Sequence, residues 1–466
     1  MDTNKKLRTH QVPCAQGKQF MKIFRICPEM PLMRPFRKVN DLRRRSFAEQ
    51  IEIFQAENII LPGHWAACME AEGFEVFETL YSDSDLQSKW AVEHGCGHLV
   101  RDPDYLFKIV KEQVKAFRPE IIFLYAGAFV WLPRRLREEL RTAAPSVAIM
   151  TGFWGDELPP NNTYKNYFGD LDVVFCSSSI YQQHFEAAGI PAVTTGNAFD
   201  PSIRYETPAA KKRDFIFCGT SGYGYPDHIG RYEKLAELMS KCILEVWTTE
   251  PRIRRLPIAV KMFVLNLAAK FPYHFLRGVH FFGFGRLKQL ARMGMRLKET
   301  KLDARDAFPV NTHANQSYFN QVKPLRKRFP RRVKAQVLNG TDYYRLLAES
   351  KLVLNLHRDE DADIGNIRCF EVTGIGSCLV TDRREELREF FDVEHDIVTF
   401  DSVDECVEKV KYLLDHPDEI ARIAKNGQRT TLDRHTVVHR CRVIASTLRQ
   451  FYANPGAKRR RVVVAT

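Results

Sequence analysis

Residues 351–382 read KLVLNLHRDEDADIGNIRCFEVTGIGSCLVTD. Leu352–Leu356 (LVLNL) reads as a strand. A polar, acid-rich loop follows, then Gly365, Asn366 and Arg368 at a helix start, with Glu371 inside the helix. Gly374 and Gly376 allow a tight turn into the next strand, Cys378–Thr381 (CLVT). Strand, loop, helix and strand in this order make one unit of a parallel α/β sheet. Such sheets bind ligands outside the carboxyl ends of their strands, where this loop and helix start fall.

The same alternation extends in both directions. Towards the N-terminus, Asp214–Cys218 is a strand, the Gly-rich loop 219–226 (GTSGYGYP) follows, then a helix over 229–241 and a strand at 244–248. Towards the C-terminus come segments at 385–391 and 397–400 and helices over 403–415 and 437–452. The first half repeats the pattern. Its strands are 21–27 (MKIFRIC), 74–80, 119–125, 146–151, 171–176 and 192–195. Helices are expected over 41–58, 62–72, 103–117, 132–143 and 179–188, with Gly73 and Gly189 closing two of them. The polar, Pro-containing stretch 201–213 reads as a linker. The expectation is α/β: two Rossmann-like domains facing a cleft, 21–205 and 213–436. A leader (1–20, expected to be disordered), a helix crossing back (437–453) and a basic tail (454–466) complete the chain.

The 466 residues are 44% hydrophobic and 27% charged, an ordinary globular composition that excludes collagen-like and low-complexity classes. No apolar run approaches the ~18 residues of a spanning helix. The first residues carry no apolar core of a secretory signal. Eleven cysteines stand singly with no CxxC pair, which points to reduced, packed thiols rather than a disulfide frame or a zinc site. The net charge of +13 is uneven. Residues 252–335 hold 20 Lys/Arg against 3 acidic residues, and the tail adds four more cations, so the remainder is acidic. The basic segment reads as an insertion in the second domain. Its apolar stretches, 258–271 and 278–285, interleaved with cations, suit an anionic membrane surface contacted through 256–298. A solvated helical insertion and a nucleic-acid contact are the other readings. A nucleic-acid binder would more often spread its basic face over the fold, so no nucleic acid is expected as partner.

With Arg368, Phe370, Glu371, Gly374, Gly376 and Cys378–Thr381 in place, the sequence resembles the group 1 (family 4-like) glycosyltransferases of the GT-B fold. It is most similar to the spore-maturation-type subgroup with a C-terminal R-x-F-E pattern. The resemblance covers 214–248 and 341–440 and is architectural over the first half. It implies transfer of a sugar from a UDP- or GDP-type donor to a hydroxyl acceptor, with no other cofactor and no metal requirement. It implies that Glu371 meets the ribose diol. The family's E-x7-E spacing appears as Asp363-x7-Glu371, which implies a sugar contact for Asp363 and retention of configuration; Asp359 and Asp361 are rivals. Asn366 and Arg368 at a helix start can hold a diphosphate. Gly219, Ser221 and Arg231 lie where related enzymes approach the donor phosphates, and His357-Arg358 can reach the same group. Asp359-Glu360-Asp361 offers a D-x-D in an acidic loop and is not read as a metal site.

In the first half, 150–160 (MTGFWGDELPP) follows a strand. Trp154, Gly155 and Asp156 face the acceptor side, and Asp156 is the expected general base or acceptor-orienting carboxylate. Residues 177–179 and 196–200 are expected to line the cleft. His64, alone at a helix start, reads as structural. The acceptor is expected to be a saccharide or lipid-linked saccharide of the cell envelope. The protein is expected in the cytoplasm, peripheral on the inner face of the plasma membrane. The competing classes are a sugar-nucleotide epimerase or glycoside phosphorylase on the same fold, and a non-enzymatic basic nucleic-acid-binding protein.

Overall fold

A computed structural model describes residues 20–27, 41–57, 64–102, 104–125, 128, 132, 134–155, 167–203, 210–223, 228–248, 250, 318, 322–334, 336, 338, 340–357 and 366–454. They build two six-stranded parallel sheets. The first contains β1 (Met21–Cys27), α1 (Phe47–Glu57), α2 (Trp65–Ala71), β2 (Phe74–Leu80), α3 (Ser84–Glu93), α4 (Tyr105–Phe117), β3 (Ile121–Tyr125), α5 (Arg134–Ala143), β4 (Ile149–Trp154), β5 (Val173–Cys176), α6 (Ser179–Ala187) and β6 (Ala192–Thr194). Its strand order is β2-β1-β3-β4-β5-β6. The second contains β7 (Arg213–Cys218), α7 (Ile229–Lys241), β8 (Glu245–Trp247), α8 (Leu325–Arg328), β9 (Val333–Lys334), α9 (Thr341–Ala348), β10 (Ser350–Asn355), α10 (Ile367–Gly374), β11 (Cys378–Asp382), β12 (Val398–Phe400), α11 (Val403–Asp415), α12 (Pro417–Arg434) and α13 (Val437–Ala453). Its order is β12-β11-β10-β7-β8-β9.

The apolar strands are covered on both faces, as their near-continuous runs require. In β1, Phe24 and Ile26 enter one core with Leu124 and Phe185, while Ile23 enters the opposite one with Trp65 and Phe175. In the second sheet, Leu352 and Leu354 of β10 face one core, and Val353 faces another with Phe370 and Leu379. Each fully buried side chain of this size contributes ~2 kcal/mol.

Helix ends follow local chemistry. Asp83 caps α3 by accepting from the Asp85 and Leu86 N–H groups, both at 3.1 Å. Ser402 caps α11, and Pro417 sits in the first turn of α12. Gly73 closes α2 at φ +85°. Three helices, α3, α8 and α12, were not expected from the sequence. The segment at 385–391 is a short 3₁₀ turn, Glu385–Glu389. The basic segment read as an insertion over 252–335 reaches into the second sheet. Its residues 325–334 form α8 and the edge strand β9, paired with β8, so they belong to the fold. The leader 1–19, the stretch 256–298 and the tail 455–466 lie outside the described residues.

The chain crosses between the sheets twice, and the two crossings hold each other. The Phe199 N–H donates to the His435 carbonyl and the Val437 N–H to the Phe199 carbonyl, both at 2.9 Å. Arg440 donates through Nε and Nη2 to the Asn197 carbonyl at 3.0 and 2.8 Å. Helix α13 then lays Val437, Cys441, Ile444, Leu448 and Phe451 on the first sheet against Trp65 and Phe123. The Ser179 hydroxyl donates to Glu389 at 2.6 Å, a further tie between the lobes.

Candidate functional site

Strand β10 ends in Asn355, fully buried, and α10 begins eleven residues later at its cap, Asn366. Asn355 Oδ1 accepts from Asn366 Nδ2 at 3.1 Å and from Arg368 Nη1 at 3.4 Å. Its Nδ2 donates to the Thr381 hydroxyl at 3.1 Å on the neighbouring strand. One amide thus fixes both the helix cap and the guanidinium. The Asn366 side chain makes no capping bond to the N-terminus of α10. Arg368 lies 5.5 Å over the Phe217 ring, and its buried Nε has no hydrogen-bond partner among the described residues. Gly219, just past β7, lets it approach: a Cβ there would stand 2.6 Å from Arg368 Nη2.

Glu371 is one turn further into α10 and 6% exposed. Its Oε2 accepts from the Tyr343 hydroxyl at 2.7 Å and its Oε1 from Tyr344 at 2.9 Å. Burial pushes this carboxyl above its ordinary value, opposed by the Tyr343 hydroxyl, the Arg368 charge and the Tyr344 hydroxyl. A carboxylate has about four lone-pair sites. Two are taken by the phenols, which leaves acceptor capacity for a ligand.

The other expected residues fall in different places. His357 is buried after β10. Its N–H and Nδ1 both meet Asp382 Oδ1 at 2.9 Å, while the buried Nε2 has no partner among the described residues. Asp382 is desolvated, but the His357 contacts and the Arg384 charge outweigh that and hold it well below the usual carboxylate range. Arg231 donates from Nη2 to the Leu356 carbonyl at 2.9 Å, bracing the end of β10. Ser221 is turned into its own loop. Its N–H donates to Thr248 at 3.0 Å, and its hydroxyl lies 3.5 Å from Glu250, which also accepts the Leu325 N–H at 2.7 Å. Arg358, Asp359, Asp361, Asp363 and Asp156 lie outside the described residues. Trp154 is buried against Phe168 in the first core rather than turned to a cleft.

A small cavity of about 40 Å³ lies between the lobes. It is lined by Trp65, Tyr125 and Phe153 of the first, Asn197 of the crossing segment, and Ile367 and Arg440 of the second part of the chain. The N-terminus of α10 therefore faces aromatic side chains of the other lobe. Asn355, Asp382, Tyr343 and Tyr344 were missed in the sequence. Only Asn355 carried a signal, as the one polar residue in LVLNL. Among the described residues no cluster of three His, Cys, Asp or Glu could hold a metal ion, and all ten cysteines there are free thiols.

Residues 301–446 match the family model described as Glycosyl transferase-like. That stretch holds Asn355, Arg368 and Glu371. A glycosyltransferase from Rickettsia africae ESF-5 superimposes with a TM-score of 0.52 at 12% identity, covering 94% of this chain and 100% of that one. Anabaena Alr3699/HepE, solved in complex with UDP-glucose, gives 0.51 at 13% identity over 92% and 100%. Sucrose-phosphate synthase from Thermosynechococcus elongatus gives 0.50 at 9% over 93% and 99%. No curated protein matches the chain. The fold is GT-B. The likeness to these structures is one of fold.

Proposed function

We propose that this chain is a glycosyltransferase that moves a sugar from a UDP- or GDP-type donor to a hydroxyl acceptor. The observation that carries the reading is the Asn355–Asn366–Arg368 cluster at the start of α10, within the stretch that matches the family model. Backbone N–H groups, the helix dipole and a guanidinium on one side suit a diphosphate. In the reaction the same groups stabilise charge growing on the leaving phosphate. Glu371, held between two phenols, receives the ribose hydroxyls. Arg368 carries the charge that a divalent ion carries in other transferases, so chelation with EDTA leaves turnover unchanged. The stereochemical assignment rests on Asp363, outside the described residues.

The test is a thermal-shift panel of UDP-, GDP-, ADP- and CMP-sugars. One nucleotide class raises Tm in the native protein, and Glu371→Ala weakens that response at least tenfold. A native protein that responds to none of them refutes the reading. We further propose an acceptor in cell-envelope polysaccharide or glycolipid synthesis, reached at the inner face of the plasma membrane through 256–298. Its support is the basic, apolar composition of that segment. No described helix is long and apolar enough to cross a membrane. Removal of 256–298 abolishes co-sedimentation with anionic vesicles; unchanged sedimentation refutes the membrane contact.

A further inference from the structure

Glu371 keeps lone pairs for a ligand, but at 6% exposure it shows too little surface for two ribose hydroxyls to reach it. Two phenols from the first turn of α9 cover it. The Tyr343 hydroxyl donates to Oε2 at 2.7 Å and the Tyr344 hydroxyl to Oε1 at 2.9 Å. Each oxygen of the carboxylate thus has one O–H donor, the pattern that a ribose diol would supply. Burial, and then the Glu371 charge, push both phenols well above their ordinary value, so both stay protonated and donate.

The two phenols differ in freedom. Tyr344 is buried in the core that holds Phe370 and Leu379, with its ring 6.4 Å from that of Phe199. Tyr343 is half-buried and only borders that core. It also lies beside the other charged group of the site. Burial lowers Arg368, but Tyr343, ahead of Cys218 and Glu371, raises it above its ordinary value. The Tyr343 hydroxyl thus reaches both the guanidinium assigned to the diphosphate and the carboxylate assigned to the ribose. A nucleotide that meets both groups needs the space this oxygen occupies.

We propose that Tyr343 is an internal competitor for the nucleotide's ribose: it occupies Glu371 in the empty site, leaves when the diol arrives, and returns as the nucleoside diphosphate departs. This rests on the transferase reading given under Proposed function. A turn about the side-chain bonds takes the phenol off Glu371 while Tyr344 and α9 stay in place. The 2′- and 3′-hydroxyls then donate to the carboxylate and replace the bond that was lost. The apparent dissociation constant rises by the inverse of the fraction of molecules whose phenol is out. A hydrogen bond to a charged group keeps that fraction at roughly one in ten or less. A ligand without the diol has nothing to put in the phenol's place, so it binds with Tyr343 still on Glu371. The contact therefore keeps a buried carboxylate satisfied when the site is empty and eases product release.

The experiment compares native protein with Tyr343→Phe, which keeps the ring and removes the hydroxyl. UDP, GDP and their 2′,3′-dideoxy analogues are titrated by calorimetry, and Tm is measured without ligand. Tyr343→Phe lowers the Tm of the free protein, because Glu371 loses a donor, yet binds the ribonucleotide ~10-fold more tightly. Its affinity for the dideoxy analogue stays within about twofold of native. A merely structural tyrosine would lower Tm with no gain in affinity. Ribonucleotide binding in the native protein that Tyr343→Phe leaves unchanged or weakens overturns this inference alone. Equal tightening for the dideoxy analogue also overturns it, since the gain then does not come from the diol. A native protein that binds neither UDP nor GDP overturns the transferase reading as well.

Discussion

Asn355 decides more of the site than either charged residue it holds. Its carbonyl oxygen accepts from Asn366 and Arg368, and its amide reaches Thr381, so it links β10, α10 and β11. Truncation leaves a buried Thr381 hydroxyl and a guanidinium short of a partner, a cost of ~1–3 kcal/mol. Asn355→Ala is therefore expected to lower stability by about that amount in urea unfolding. It is also expected to weaken nucleotide binding roughly tenfold, since the fork of Arg368 is no longer aimed. Asn355→Asp separates the two effects. The carboxylate pairs with Arg368 and competes with a diphosphate, so binding falls further than in Asn355→Ala while stability recovers in part. Nucleotide affinity equal to native in both variants would remove Asn355 from the site.

At the scale of elements, α10 is bound to the crossing segment through a glycine. A Cβ on Gly374 would stand 2.3 Å from Cγ of the Phe199 ring. The ring cannot retreat freely, because the Phe199 backbone is bonded on both sides to 435 and 437. Helix propensity alone favours alanine over glycine by ~1 kcal/mol. Overpacking of a fixed ring costs ~1–3 kcal/mol and wins. Gly374→Ala is expected to destabilise the protein, and Phe199→Leu in the same chain to restore part of the loss; a more stable Gly374→Ala protein would contradict this packing. The R-x-F-E stretch made this helix legible, since Phe370, Arg368 and the two glycines occur where an α/β unit needs them. Helix α3 was not legible: SDLQSKWAVE mixes polar residues into its buried face, where Gln87 donates to the Thr79 hydroxyl at 2.8 Å. Strand β9 has two residues and no pattern of its own; β8 defines it. The Tyr343–Glu371 pair was invisible for a different reason. It joins residues 28 positions apart, and nothing local to either marks the contact.

At the scale of the whole molecule, the two lobes are joined where α13 leaves the second sheet, and His435 stands at that joint, 7% exposed. Its Nε2–H donates to the Phe390 carbonyl at 2.8 Å, and its Nδ1 accepts from Arg440 Nη2 at 2.9 Å. The same guanidinium holds the Asn197 carbonyl of the other crossing. Protonation of His435 would set a second hydrogen against Arg440. Burial first, and then the Arg440 charge, push this imidazole down to about 4. An unfolded chain takes up the proton near pH ~6.5. Between these values the unfolded state binds more protons, so stability rises with pH there and is lost as pH falls. The loss from this group is on the order of 3 kcal/mol from pH ~6.5 down to ~4. Replacement by glutamine keeps a donor and an acceptor but cannot titrate. His435→Gln is thus expected to be less stable than native at pH 7.5, with the gap in urea midpoint closing as the pH approaches 4.5. Acidic groups elsewhere act on both proteins alike, so the difference reports the joint. Midpoints that fall in parallel over this range would show that His435 does not govern acid loss at the crossing.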